Sequence, residues 1–293
     1  MNFDRFAIRR NFSRAASGYA THARLQAEVG SRLLDRLDGL NFSPSTIVDL
    51  GAGPGLQARE LAGRFPKARV VAMDVAVPML HEARAQAGRW RRRFERVAGD
   101  AEALPLADGS VDLLYSNLML QWCDDVAGVL NAFRRVLRPG GLLLVSTFGP
   151  DTLRELREAF RDADDRPHTS RFVDVQALGD ALVRAGFSEP VLDTDWLTSR
   201  YARPRDLLSE LKAIGATHAG ADRPRGLSSP RRLQRMLAAY EDLRGDDGRV
   251  PATWEVVSAS AWAPDEGAPI RGPQGEEASV SVASIGRRRR NGT

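Results

Sequence analysis

Cysteine is almost missing from this chain of 293 residues. The single Cys123 has no internal disulfide partner and cannot build a thiolate cluster, which sets aside zinc and iron–sulfur chemistry and leaves no metal expected. Long apolar runs are missing too. No stretch of about 18 uncharged apolar residues occurs, so no membrane-spanning helix is expected. The amino terminus, MNFDRFAIRRNFSRAAS, lacks the apolar core of a signal peptide, and a cytoplasmic location is expected. No internal repeat is visible. With 43% hydrophobic and 27% charged residues the composition is that of a folded protein, which excludes disorder as the general state.

The formal charge is only +4, but arginine clusters at 91–93, at Arg231 and Arg232, and at 287–290. Such patches suit an acidic partner, although most of them taken singly are solvated helix faces.

Apolar residues recur at helical spacing over 25–37, ahead of Gly39. The run TIVDL then leads into three alternating glycines, a strand followed by a glycine-rich turn. Helices are expected over 56–64, 78–87 and 126–136, and strands over 69–73, 96–98, 111–116 and 142–148. This alternation implies right-handed crossovers and an α/β fold with a mostly parallel seven-stranded sheet covered by helices on both faces. Beyond Gly149 the regularity weakens. Helices are expected at 151–161, 175–185, 207–214 and 231–243, and a strand at 191–197. WEVVSASAW (254–262) alternates apolar and polar residues as an antiparallel edge strand does. The expected division is a helical lid over 1–40, a core over 41–203 and 250–263, a helical insertion over 204–249, and an irregular basic tail over 264–293.

DLGAGPG (49–55) ends a strand and opens a helix, the place where open α/β sheets bind ligands. Glycines there let the backbone turn sharply and approach a ligand closely. The loop reads G-x-G-x-G, not the G-x-G-x-x-G of nucleotide dehydrogenases, and Asp49 stands two places before Gly51. It resembles the first motif of the Rossmann-like S-adenosylmethionine methyltransferases. Three further segments follow in the family's order: Asp74 after RVVAM, GDAEALPL (99–106), and RVLRPGG (135–141) before the fifth strand.

The resemblance implies that Asp49, Gly51, Gly53 and Gly55 shape the cofactor loop and that Asp74 takes the hydroxyls of the cofactor's ribose. It places Val75, Met79 and Asn117 beside them, Asp100 toward the adenine amine, and Ala101 as a backbone donor. Ala52 and Pro54 depart from the Cys and Thr often found in the family's loop, and both keep the backbone tight.

NFSRAASGY (11–19), SNLMLQW (116–122), STFGPDTLRELR (146–157) and WEVVSASAW narrow the resemblance to the malonyl-acyl-carrier-protein O-methyltransferases that open the pimeloyl route to biotin. This implies S-adenosyl-L-methionine as co-substrate and malonyl-acyl carrier protein, an acidic partner, as acceptor. Tyr19 then resembles a lid residue near the methyl donor, and Arg14 a partner for the cofactor's carboxylate. Gln121 would orient the acceptor carboxylate and Trp122 wall its pocket. Arg157, Arg171 and Arg203 are candidate carboxylate clamps, and His168 and Phe172 candidate residues of a substrate-side loop. Arg223, Arg225, Arg231, Arg232 and Arg235 would attract the carrier. A malonyl carboxylate, with a pKa of about 4, is already ionised at neutral pH, so no general base is required.

Three other readings use the same residues. The acceptor could be a free small carboxylic acid. It could be RNA, given a pI near 9.7 and the RRRR tail, against which stand SNLMLQW where base methyltransferases carry Asn/Asp-Pro-Pro-aromatic, and the lack of an RNA-binding module signature. A non-catalytic binding protein is the third.

Overall fold

The computed structural model describes residues 3–87, 93–163, 172–217, 220, 229–265, 267, 270–272 and 275–277. Two helices come first, α1 (Arg5–His22) and α2 (Arg24–Asp35). Then follow β1 (Thr46–Leu50), α3 (Leu56–Arg64), β2 (Arg69–Asp74), α4 (Val77–Ala87), β3 (Glu95–Ala98), β4 (Val111–Asn117), α5 (Val126–Val136) and β5 (Leu137–Phe148). The chain continues through α6 (Arg154–Arg161), α7 (Val175–Arg184), β6 (Ser188–Tyr201), α8 (Pro204–Ala213), α9 (Pro230–Glu241) and β7 (Val250–Trp262).

The sheet has seven strands in the order β3-β2-β1-β4-β5-β7-β6. Its first four pairings are parallel, and β7 runs antiparallel to both β5 and β6. Successive residues of a strand point to opposite faces, and here both faces are covered. Val48, Val71 and Leu114 pack with Phe133 of α5 and Leu182 of α7. Their neighbours Ile47, Val70 and Leu113 pack with Leu34 of α2, Leu61 of α3 and Ala83 of α4. Near-continuous apolar strands are the result, as a doubly covered parallel sheet requires.

Three helices start at an aspartate cap. Asp4, Asp125 and Asp174 accept the N–H of Ala7 (2.9 Å), Gly128 (2.8 Å) and Ala177 (2.7 Å), satisfying donors that a first turn leaves open. Pro204 sits in the first turn of α8, where a missing N–H costs nothing.

Three expectations are corrected. The segment 254–262 is not an edge strand. It belongs to β7, which lies between β5 and β6, and β6 takes the edge with alternating exposure. Two polar residues of β7 are buried and paired: Thr253 N–H donates to Glu155 at 2.9 Å, and Glu255 accepts the N–H of Asp151 at 2.6 Å. β6 also runs well past 191–197 at both ends, because it pairs with β7 along nearly its whole length. Third, the segment expected to be irregular carries a short antiparallel pair, β8 (Ile270–Gly272) and β9 (Gly275–Glu277), in which Gly272 faces Gly275 across a two-residue connection. Glycines at both ends of so short a reversal suit a hairpin.

Candidate functional site

The carboxyl ends of β1, β2 and β4 open on a cavity of about 380 Å³, roofed by α1. After β1 the chain turns through Gly51, Gly53 and Gly55, all at positive φ (75°, 52° and 77°), where a side chain would be strained. A Cβ on Gly51 would lie 2.7 Å from Cγ of Met119, so only glycine leaves this part of the floor open. Gly51 and Gly53 line the cavity; Gly55 starts α3 behind it, against Phe94 and Ala83.

Asp74 ends β2 with its carboxylate at the cavity, accepting the N–H of Gly53 (2.9 Å) and of Ala76 (2.8 Å). Burial pushes its pKa up, and the two N–H donors pull against that rise. Val75 and Met79 line the wall beyond it.

Asp49 lies one shell deeper. It is 2% exposed, and its Oδ2 is buried without a hydrogen-bond partner. Burial first, and the nearby Asp74 carboxylate second, push its pKa up to about 8, against a lowering hydrogen bond from the Ala58 backbone. With a pKa of about 8, Asp49 keeps its proton at neutral pH, and Asp74 is the carboxylate that faces the cavity.

The opposite wall is built from Gly99, Asp100, Ala101 and Glu102. Arg135 holds this loop by donating to the carbonyls of Leu106 (2.9 Å) and Leu104 (3.2 Å) and by pairing with Asp108 at 2.5 Å. That is the physical work done by the first residue of RVLRPGG. Arg5 of α1 reaches across to pair with Asp100 and, at 3.1 Å, with Glu102.

At the end of β4, Asn117 lines the cavity while its amide donates to the Gln26 carbonyl (2.8 Å). Leu118 follows at φ 49°, a left-handed conformation rare outside glycine. This turn brings Met119 beneath Gly51 and carries the chain into the short helical turn Leu120–Trp122. Gln121 braces it, donating to the Leu118 carbonyl at 2.7 Å and accepting the Thr147 hydroxyl at 3.3 Å. Its amide is thereby used internally, and Gln121 is not among the cavity residues. Trp122 is, with its ring edge-on to Phe12 of α1 at 5.2 Å. Tyr19 lines the roof, and its phenol is pushed far up by burial and by the Asp74 carboxylate.

Other expected positions lie apart from the cavity. Arg14 is on the exposed side of α1. Arg157 turns to the carbonyls of Thr152 and Pro150, and Arg203 pairs with Asp206 at 2.8 Å. Phe172 packs against Phe148, with ring centroids 5.8 Å apart. His168 and Arg171 fall outside the described residues, as do Arg223 and Arg225.

Sequence reasoning missed Arg5, Phe6, Ile8, Arg9, Phe12, Met119 and Cys123 as cavity residues. The spacing of Ile8, Phe12 and Tyr19 at helical intervals was the available signal. The Cys123 thiol is pushed up to about 12, chiefly by burial and then by the Glu102 and Asp100 carboxylates, so it is no nucleophile. Among the described residues no group of acidic, histidine or cysteine side chains is arranged to hold a metal, and no helix is long and apolar enough to cross a membrane.

Comparison with known proteins agrees with this architecture. A family model described as a methyltransferase domain matches residues 48–145. Among solved structures, the chain resembles the YcgJ protein of Bacillus subtilis (TM-score 0.58, 16% identity, 80% of this chain and 98% of that one). It also resembles phosphoethanolamine N-methyltransferase 2 of Haemonchus contortus in complex with S-adenosyl-L-methionine (TM-score 0.51, 17% identity, 80% and 52%). Similarity at these identities shows the shared fold. Curated relatives are much nearer in sequence. The malonyl-[acyl-carrier protein] O-methyltransferase of Xylella fastidiosa is 49% identical over 99% of this chain and 98% of its own. Those of Halorhodospira halophila (45%, 99% and 98%) and Legionella pneumophila (36%, 95% and 96%) are similar along nearly their full lengths. With its cavity at the carboxyl ends of a seven-stranded sheet and relatives of this identity over the whole chain, the protein belongs to the malonyl-[acyl-carrier protein] O-methyltransferase family of methyltransferases.

Proposed function

We propose that this protein transfers a methyl group from S-adenosyl-L-methionine to the free carboxylate of a malonyl thioester on acyl carrier protein, giving the methyl-ester primer of pimeloyl and biotin synthesis. One observation carries the reading: four segments distant in the chain, at Gly51–Gly53, Asp74, Asp100–Ala101 and Asn117, meet on one cavity in a chain of this family. The residues fit the cofactor. The loop has no room for a side chain at Gly51, and Asp74 offers a carboxyl group at the cavity surface.

On this reading Asp74 would hold the ribose hydroxyls, Asp100 and the Ala101 N–H the adenine edge, and Gly51 and Gly53 would let the backbone approach the rest. Bound there, S-adenosyl-L-methionine supplies a methyl group made electrophilic by its sulfonium. The acceptor carboxylate is ionised at neutral pH, so the protein needs no base. The nearest candidates fit that: the Tyr19 phenol and the Cys123 thiol are both held in their protonated forms. What the chain contributes is position and dryness. Tyr19, Phe12, Met119 and Trp122 wall the cavity with apolar surface and exclude water, while α1 covers the top. Fixing two reactants in a productive arrangement is worth about 7–11 kcal/mol.

The test is label transfer from methyl-labelled S-adenosyl-L-methionine to malonyl-acyl carrier protein, malonyl-coenzyme A, free malonate and total RNA, side by side. Label on the malonyl thioesters that disappears with Asp74→Ala is the expected result. Label on free malonate or RNA alone would overturn the acceptor, and cofactor binding with no label anywhere would overturn the enzyme reading.

A further inference from the structure

The expected home of a carrier-protein contact, the arginines of the 204–249 insertion, is not where the cavity opens. Arg231, Arg232 and Arg235 lie on α9, which packs on α6 and α8, and none of them lines the cavity. The mouth is bordered instead by the first turns of α1, where Arg5, Phe6 and Arg9 are all lining residues. This helix contains Arg5, Arg9, Arg10 and Arg14 and not one Asp or Glu. Arg5 is neutralised by Asp100 and Glu102. Arg9, Arg10 and Arg14 are exposed, and none of the three has an ion pair or side-chain hydrogen bond among the described residues. Phe6 is 86% exposed, an apolar side chain held in water beside the opening.

Spacing arranges these groups. Phe6, Arg10 and Arg14 follow one another at i, i+4 intervals, so they form one stripe on the open side of the helix, with Ser17 continuing it and Arg9 on the border with the cavity. The buried side, with Ile8 and Phe12, is the one that faces the molecule.

We propose that this open face of α1 docks the acidic carrier protein that presents the acyl thioester. The proposal rests on the function proposed above and adds where the carrier sits. A carrier protein too large for a 380 Å³ cavity must stop at its mouth while only the acyl thioester enters, and the surface it meets there is cationic with one exposed aromatic. Unopposed arginines steer an acidic partner and fix its register, and a single aromatic anchor supplies short-range affinity.

The experiment uses the full chain carrying Arg10→Glu with Ser17→Glu, both on the open face and outside the cavity, and a separate Phe6→Ser variant. Methyl transfer is measured with malonyl-acyl carrier protein and with malonyl-coenzyme A, which offers a malonyl thioester without the protein. The double variant is expected to raise KM for the carrier substrate about tenfold or more, with kcat and the coenzyme A kinetics within about twofold of the starting protein. Added salt should raise KM for the carrier in the starting protein and have little effect in the variant. Fluorescence anisotropy with malonyl-free acyl carrier protein reads docking directly, so a protein that methylates neither thioester would sink the functional reading while still deciding this one. Unchanged carrier KM and affinity, equal losses for both thioesters, or a carrier effect seen only on reversing Arg231 and Arg235 would overturn the proposal. So would tight binding of RNA in place of the carrier.

Discussion

At Gly51 the backbone sits at φ 75°, and an added Cβ would meet Met119 at 2.7 Å. Left-handed backbone costs a non-glycine residue about 1–2 kcal/mol before any clash, and the atoms met are Cγ and Cβ of Met119, itself a cavity-lining residue that would have to shift. Gly51→Ala should therefore lower the melting temperature and weaken S-adenosyl-L-methionine binding by at least about tenfold, the equivalent of 1.4 kcal/mol, as read by calorimetric titration. Asp49 gives a pH prediction. Its folded pKa, about 8, lies above the ordinary 3.8. Between these values the folded chain keeps a proton that the unfolded chain has released, so stability falls as pH rises from about 4 to about 8, and the penalty is complete above that. Asp49→Asn removes the titration, and its melting temperature should gain on that of the starting protein as pH goes from 6 to 9. A constant difference across that range would show that Asp49 ionises normally.

Among the elements, those closest to the glycine loop were the most legible in the sequence. The α3 range agrees with expectation because Gly55 in a left-handed conformation marks its start and apolar spacing marks its face. Strands β1, β2 and β4 were legible as apolar runs because both sheet faces are covered. The interior place of β7 was not. Its polar residues look solvent-facing by alternation, whereas Thr253 is answered by Glu155, 98 residues earlier in sequence. No local pattern carries that partner. Site residues divide the same way: glycines and loop acids leave a signature, while an arginine such as Arg9 reads as any solvated helix position until the fold places it at a cavity. The Glu155–Thr253 contact is itself testable. Both residues are buried, and the carboxylate takes the Thr253 N–H and hydroxyl together. Glu155→Ala leaves that N–H without an acceptor and should cost about 2–3 kcal/mol in denaturant unfolding. Thr253→Val should cost less, and the two effects should be non-additive in a double-mutant cycle.

Across the whole molecule, α1 ties together parts of the chain that are otherwise far apart. Its Arg5 grips Asp100 and Glu102 at the carboxyl end of the parallel sheet, and Asn11 donates to Thr217 after α8 at 2.8 Å. Phe3 bridges to Gly220, and its N–H donates to Asp124 at 2.7 Å. The buried face of the helix closes the cavity through Ile8, Phe12 and Tyr19. Where a ligand enters past α1, the Arg5 contacts at the edge of the cavity are the ones it has to break. Those contacts are half exposed, and exposed ion pairs are worth at most about 1 kcal/mol each; the latch is weak enough to open and sensitive to salt. Arg5→Ala should therefore speed both association and dissociation of S-adenosyl-L-methionine by several-fold in stopped-flow fluorescence. High salt should bring the starting protein toward the same rates. Because faster association offsets part of faster dissociation, the variant's equilibrium affinity should fall less than its dissociation rate rises. A loss of affinity with an unchanged dissociation rate would mean instead that Arg5 acts on the entering ligand and that α1 is a fixed wall.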